Sequence, residues 1–316
     1  MLIEVRFKSI NIIYMKYSFL VFLGAASYGI LSTIAKLSYD AGFTASDATS
    51  SQMVLGLIMM WLIVFLFERK KSSVNATKSE AINLMVMGVP MALTSIFYYR
   101  SVQLLPASIA ILLLFQFTWI GILFEAISKK QIPSLAKFIS VIILLGGTVF
   151  ASGILSSGLE EYNTKGIIYG LLASISYALF IFFNGKTSIQ ISSAKKTAWM
   201  LTGATILTVI VYPPVFLING AITQGYLIYG IPLALFGAVI PPFLFAVGIP
   251  KIGVGLSSII NATELPVAVL ASSLILGEIV TSSQWTGVII ILSAMVIPNL
   301  LESKIKKRRL AVVTVK

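Results

Sequence analysis

The chain has 316 residues, of which 58% are hydrophobic and 11% charged, and its 23 Lys and Arg against 11 Asp and Glu give a net charge of +12. An ordinary soluble domain carries roughly 25% charged residues, and a mean hydropathy of +0.98 excludes that class in favour of a membrane protein. With no cysteine and no histidine, disulfides, thiolate metal sites and Ser-His-Asp triads lack their parts, and no phosphate-loop motif is present for ATP hydrolysis.

Residues 1–16 read as a short cytoplasmic segment, weakly amphipathic, with Met15 a candidate start and Lys16 its anchor. Apolar runs of about 20 residues, each long enough to cross a hydrocarbon core as a helix, then predict ten spans. In chain order they cover 17–39, 48–67, 82–99, 104–126, 135–153, 166–185, 197–218, 227–248, 253–276 and 285–301. A basic tail, 302–316, follows. It reads as a topology anchor, with binding to anionic lipid or a partner as the alternative.

The positions of the cations argue against nucleic acid as a partner. If the N-terminus is cytoplasmic, 20 of the 23 Lys and Arg fall in inside segments, leaving Lys36, Arg100 and Lys165 at the outer surface. That is the positive-inside distribution. It predicts a multi-pass protein of the cytoplasmic membrane with both termini in the cytoplasm.

The chain also repeats itself. Tyr28 recurs as Tyr177, Gly88 as Gly237, Ser108 as Ser257 and Ile142 as Ile291, each 149 residues later. Five spans per copy put the second copy into the membrane from the opposite side, so the expected fold is an all-α membrane protein of ten helices in two inverted five-helix repeats. The copies occupy 17–153 and 166–301, joined by an external linker, 154–165. Prolines fall inside related spans: Pro90 in the third, Pro241 and Pro242 in the eighth. Each removes a backbone donor and is a candidate hinge, or else a static kink.

Glu264 stands near the middle of the ninth span, where an ionised acid costs about 2.5 to 3.5 kcal/mol. It is expected to be the only acid within a span. Ser257, Asn261, Glu264 and Ser272 share one helical face, so the acid belongs to a polar stripe facing a cavity. Tyr28, Ser32 and Lys36 form a second stripe on the first span, with Lys36 placed to snorkel, to pair with Glu264 or to hold an anionic group. Gln116 and Trp119 on the fourth span and Tyr98 at the end of the third complete the candidates for binding substrate or a proton.

Leu105, Pro106, Ala107, Ser108, Ile109 and Ala110 open the fourth span, and Pro266 in the ninth is followed by Gly277 and Glu278 just past its end. Over 17–301 this pattern resembles the EamA family of the drug/metabolite transporter superfamily. At the offset of 149, Phe115 stands for Glu264, Phe117 for Pro266 and Lys129 for Glu278. The resemblance implies ten helices around a central cavity, alternating access, no cofactor, no ATPase subunit, and a small-molecule substrate with protons as a candidate partner beside membrane lipids. Amino acids and related metabolites, often exported, are the favoured cargo; uptake of sugars or nucleosides and efflux of cationic drugs are the alternatives, and a non-transport membrane scaffold or receptor is the reading outside the class. Pro266 joins the candidate hinges.

The topology is checked with single cysteines at Gly158 and Ser73. An impermeant thiol reagent is expected to label the first and spare the second in intact cells, and labelling at Ser73 would overturn the assignment.

Overall fold

The computed structural model describes residues 2–68, 75–105, 107–152, 163–186, 190–277 and 279–295. Ser73, Pro106, Glu278, residues 154–162 of the linker and the basic tail lie outside them, as do the side chains of 1–13 and Ser108. Among the described residues every regular element is a helix: α1 (Leu2–Asp40), α2 (Ala45–Glu68), α3 (Lys78–Leu104), α4 (Ala107–Leu114), α5 (Phe117–Lys129), α6 (Leu135–Ala151), α7 (Thr164–Lys186) and α8 (Ser193–Val211). A short 3-10 turn, Val215–Leu217, precedes α9 (Leu227–Ala234), which passes through a π turn (Leu235–Val239) into α10 (Ile240–Ile252). The chain continues through α11 (Val254–Asn261), α12 (Glu264–Leu276) and α13 (Ser282–Met295). Among the described residues, seven apolar helical runs are long enough to cross a membrane, and α6 and α13 are shorter apolar helices.

Backbone groups in hydrocarbon must be satisfied within the chain, and departures from regular helix have local causes. The seventh expected span was to reach Ile218, but α8 ends at Val211, just before Pro213 and Pro214. Between α9 and α10 the N–H of Ile240 bonds back to Leu235, closing the π turn immediately before Pro241 and Pro242, which have no N–H to donate. Pro90, by contrast, lies inside α3, which runs on through it.

Two expected spans are interrupted. Pro266 cannot donate to the Ala262 carbonyl, which instead accepts the Leu265 N–H at 3.3 Å, and the Thr263 N–H bonds to Ile260 at 3.0 Å. The tightened turn separates α11 from α12. Between α4 and α5 side chains do the same work. Gln116 Nε2 donates to the Leu112 carbonyl at 3.1 Å, the acceptor its own N–H would take in a regular helix, and Thr118 Oγ1 donates to Phe115 at 2.9 Å.

The paired helices have the same lengths, 8 and 13 residues in each half, and their limits coincide at an offset of 147. In this stretch Phe117 therefore answers to Glu264 and Trp119 to Pro266, while Lys130 (φ 52°) and Gly277 (φ 68°) are matching left-handed helix ends. This corrects the pairings drawn at 149. The cause lies upstream, where α3 has 27 residues and the run Leu227–Ile252 has 26, and the connection to the next helix is one residue shorter in the second half.

Packing between the halves is reciprocal. Gly88 of α3 lies against the Met200 carbonyl of α8, and Gly203 of α8 against the Met85 carbonyl of α3; a Cβ at either glycine would fall on that carbonyl. The residues 147 to 149 positions away repeat the contact crosswise, with Gly237 on Gln52 and Gly56 facing the Ala234 carbonyl, 3.7 Å from where its Cβ would be, beside Ala238. A pair of contacts that exchange partners in this way is the mark of a two-fold relation.

Gly88→Ala or Gly203→Ala is expected to destabilise the protein by about 1 to 3 kcal/mol, because the crowding atoms are backbone. Gly146→Ala, where a Cβ meets nothing within 4 Å, serves as the control. A lower melting temperature for the first two and none for the third confirms the contact; equal behaviour of all three contradicts it.

Candidate functional site

Glu264 is the first residue of α12. Its place follows from the Pro266 interruption, and the positive end of a helix dipole favours a carboxylate there. Tyr177 of α7 donates its hydroxyl to Glu264 Oε2 over 3.5 Å. Tyr28 and Tyr98 lie near the same carboxyl. Gly29 of α1 brings this helix directly onto the interruption, with the Glu264 carbonyl 2.6 Å from where its Cβ would be.

Aromatic rings wall the carboxyl. Tyr177 stands edge-on to Tyr28, with centroids 6.0 Å apart, and packs on Phe117 at 4.6 Å, while Phe245 lies 5.9 Å from Tyr28. Tyr28 and Tyr177 are each other's counterparts in the repeat and touch, as residues near a two-fold axis do. Phe117, the counterpart of Glu264, packs against the same tyrosine that bonds Glu264.

The other expected site residues distribute unevenly around this centre. Tyr28, Tyr98 and Glu264 are partly exposed, and Ser32 and Lys36 are exposed further along α1. Ser32 donates to the Gly29 carbonyl at 3.1 Å. Ser257 and Asn261, on the opposite side of the interruption, are completely buried, at 0% exposure. Ser257 donates to the Gly253 carbonyl, but neither amide atom of Asn261 has a partner. Gln116 and Trp119 bond to each other at 2.8 Å, and Trp119 is 42% exposed. Pro90, Pro241, Pro242 and Pro266 are all buried.

Two features escaped the sequence. Tyr177 was visible only as a repeat mate of Tyr28. Glu125 corrects the expectation that Glu264 is the sole acid within a span: its carboxylate is buried near the end of α5, accepting hydrogen bonds from Lys129 and Lys137 and from the Gly255 N–H. The Glu125–Lys129 spacing of four was the available signal.

A helical membrane bundle with a carboxyl and tyrosines held at an interrupted helix has features of a membrane transporter. The chain belongs to the EamA-like transporter family, whose sequence profile matches twice, at residues 15–153 and 164–300, and so to the drug/metabolite transporter superfamily. An uncharacterized transporter of Synechocystis sp. is 25% identical over 280 residues, spanning 82% of each chain. A crystal structure that is 13% identical, covering 92% of this chain and 99% of its own, superposes with a TM-score of 0.76; at that identity the likeness shows the fold alone.

Asn261→Leu tests whether the unpartnered amide is kept for transport. A buried polar group without a partner costs about 1 to 3 kcal/mol, so the melting temperature is expected to hold or rise while transport falls. A lower melting temperature with unchanged transport would assign Asn261 to packing.

Proposed function

We propose that the protein is a secondary carrier that moves a small metabolite across the cytoplasmic membrane by alternating access, using ten crossings in two inverted repeats, 17–153 and 166–301, with the linker 154–165 outside and both termini in the cytoplasm. The ten crossings comprise the seven long apolar runs together with α6, α8 and α13. The reciprocal glycine contacts, the matched interruptions and the double match to one family profile support the inverted repeat. The distribution of Lys and Arg supports the orientation.

The observation that carries the functional reading is the position of Glu264. It is partly exposed beside Tyr28 and Tyr98, while Ser257 and Asn261 beyond it are sealed. In this arrangement substrate approaches from the end of Lys36 and Arg100, past Ser32, and the opposite end is closed. This is an outward-facing state. Glu264 binds the cationic group of the cargo or exchanges a proton with it, Tyr28, Tyr98 and Tyr177 orient the carboxyl, and Asn261 and Ser257 line the route to the other side. Lys36 supplies positive charge on the approach. Gln116 and Trp119 shape the mirror-related interruption, and Pro90, Pro241, Pro242 and Pro266 mark where the helices bend.

An amino acid or related metabolite, moved in the export direction, is the favoured cargo. Its ammonium group suits a carboxyl held among aromatic rings.

Glu264→Gln in liposomes separates the two roles. If Glu264 carries protons, uptake driven by a pH gradient is abolished while counterflow exchange persists. If it binds the cationic group, both modes weaken and the apparent affinity falls about tenfold, equivalent to about 1.4 kcal/mol. Unchanged transport between about pH 5 and pH 8, with normal expression, would contradict both.

A further inference from the structure

At the end of the bundle away from Lys36 and Arg100, one carboxylate joins three segments. Glu125 Oε1 accepts from Lys129 Nζ at 2.7 Å, and Oε2 accepts from Lys137 Nζ at 2.8 Å and from the Gly255 N–H at 2.9 Å. Lys129 shares α5 with Glu125, Lys137 belongs to α6, and Gly255 lies in the first turn of α11. The last contact crosses between halves, over 130 residues of sequence.

The N–H groups of a first helical turn have no partners inside the helix, and that end attracts anions. Elsewhere the need is met locally: Thr77, Ser134 and Ser192 cap α3, α6 and α8 from the adjoining residue. Helix α11 follows Gly253, whose φ of +88° favours glycine and which has no side chain to cap with. An acid from the other half does so instead. The space is shaped for it, because a Cβ on Gly255 would fall on Glu125 Oε2. The other end of the same eight-residue helix carries Asn261 and leads into Glu264.

We infer that Glu125 is a positioning residue for transport: held by Lys129 and Lys137, it latches the amino end of α11 to α5 and closes the cytoplasmic end of the path. Release of cargo on that side requires the Gly255 N–H to leave the carboxylate. An open pocket of about 210 Å³ borders Glu125, Lys129, Ser134 and Lys137. The inference rests on the carrier reading for its meaning.

The test is accessibility of a single cysteine, Ser257→Cys, at a site buried in the closed state. Labelling by a small impermeant thiol reagent is compared from each side of sealed membranes, in the otherwise unchanged protein and with Glu125→Gln or Gly255→Ala. Gly255→Ala retains every charge and displaces the carboxylate together with the Lys137 ammonium that it holds. Both variants are expected to raise labelling from the cytoplasmic side about tenfold and to leave labelling from the outer side no higher. Transport by the same variants is expected to show a raised KM for outer substrate with kcat less affected.

If Gly255→Ala leaves labelling unchanged, the acid serves only to pair α5 with α6, and the latch is rejected. Equal increases from both sides would mean general loosening and would reject it as well. Should Glu125→Gln fail to fold, Gly255→Ala alone decides. The labelling needs no substrate, so one-sided opening without transport of any compound would retain the latch and reject the carrier reading.

Discussion

Every carbonyl inside a bilayer needs a donor from the chain itself, and Pro266 withholds one. The Ala262 carbonyl turns to Leu265, the helix tightens for a turn, and a new helix begins at Glu264. The same event gives the acid a helix amino end to stabilise it. In the first half, Gln116 and Thr118 interrupt the equivalent helix by taking carbonyls with their side chains. One geometry thus arises from two chemistries, and only the second half presents a carboxyl; the first presents Phe117.

Glu125 and Glu264 illustrate different ways of keeping an acid within a membrane span. A lone ionised side chain at the bilayer centre costs about 2.5 to 3.5 kcal/mol. Glu125 offsets this with two lysines and a helix amino end, leaving no acceptor idle. Glu264 has only its helix end and one long hydrogen bond from Tyr177. The satisfied acid suits a latch that holds until it is opened, and the under-satisfied one suits an exchanging ligand. Helix α11 runs between them.

Much of the fold was legible because hydrocarbon enforces a simple rule, that apolar runs become helices. The family pattern and its double occurrence could be read from residue types; the helix interruption at Glu264 could not. The register of the second half could not, since the shortening around Gly253 leaves no mark in an apolar sequence. Residues 215–218 continued the hydropathy of the seventh span although Pro213 and Pro214 had ended it. Glu125 passed unnoticed because a charge near a span end resembles an ordinary boundary residue. The burial of Asn261 and Ser257 beside the exposure of Ser32 depends on how helices tilt against one another, which side-chain periodicity does not encode.

The central claim is that Glu264 and the tyrosines around it bind a small molecule. It is tested most directly by the melting temperature of the purified protein across amino acids, sugars, nucleosides and organic cations. A ligand at about 100 times its Kd stabilises the folded state by about 2.7 kcal/mol. The account predicts that at least one class raises the melting temperature in the native protein and that Glu264→Gln removes or weakens the shift. A shift of equal size in both proteins, or no shift from any class, would contradict it.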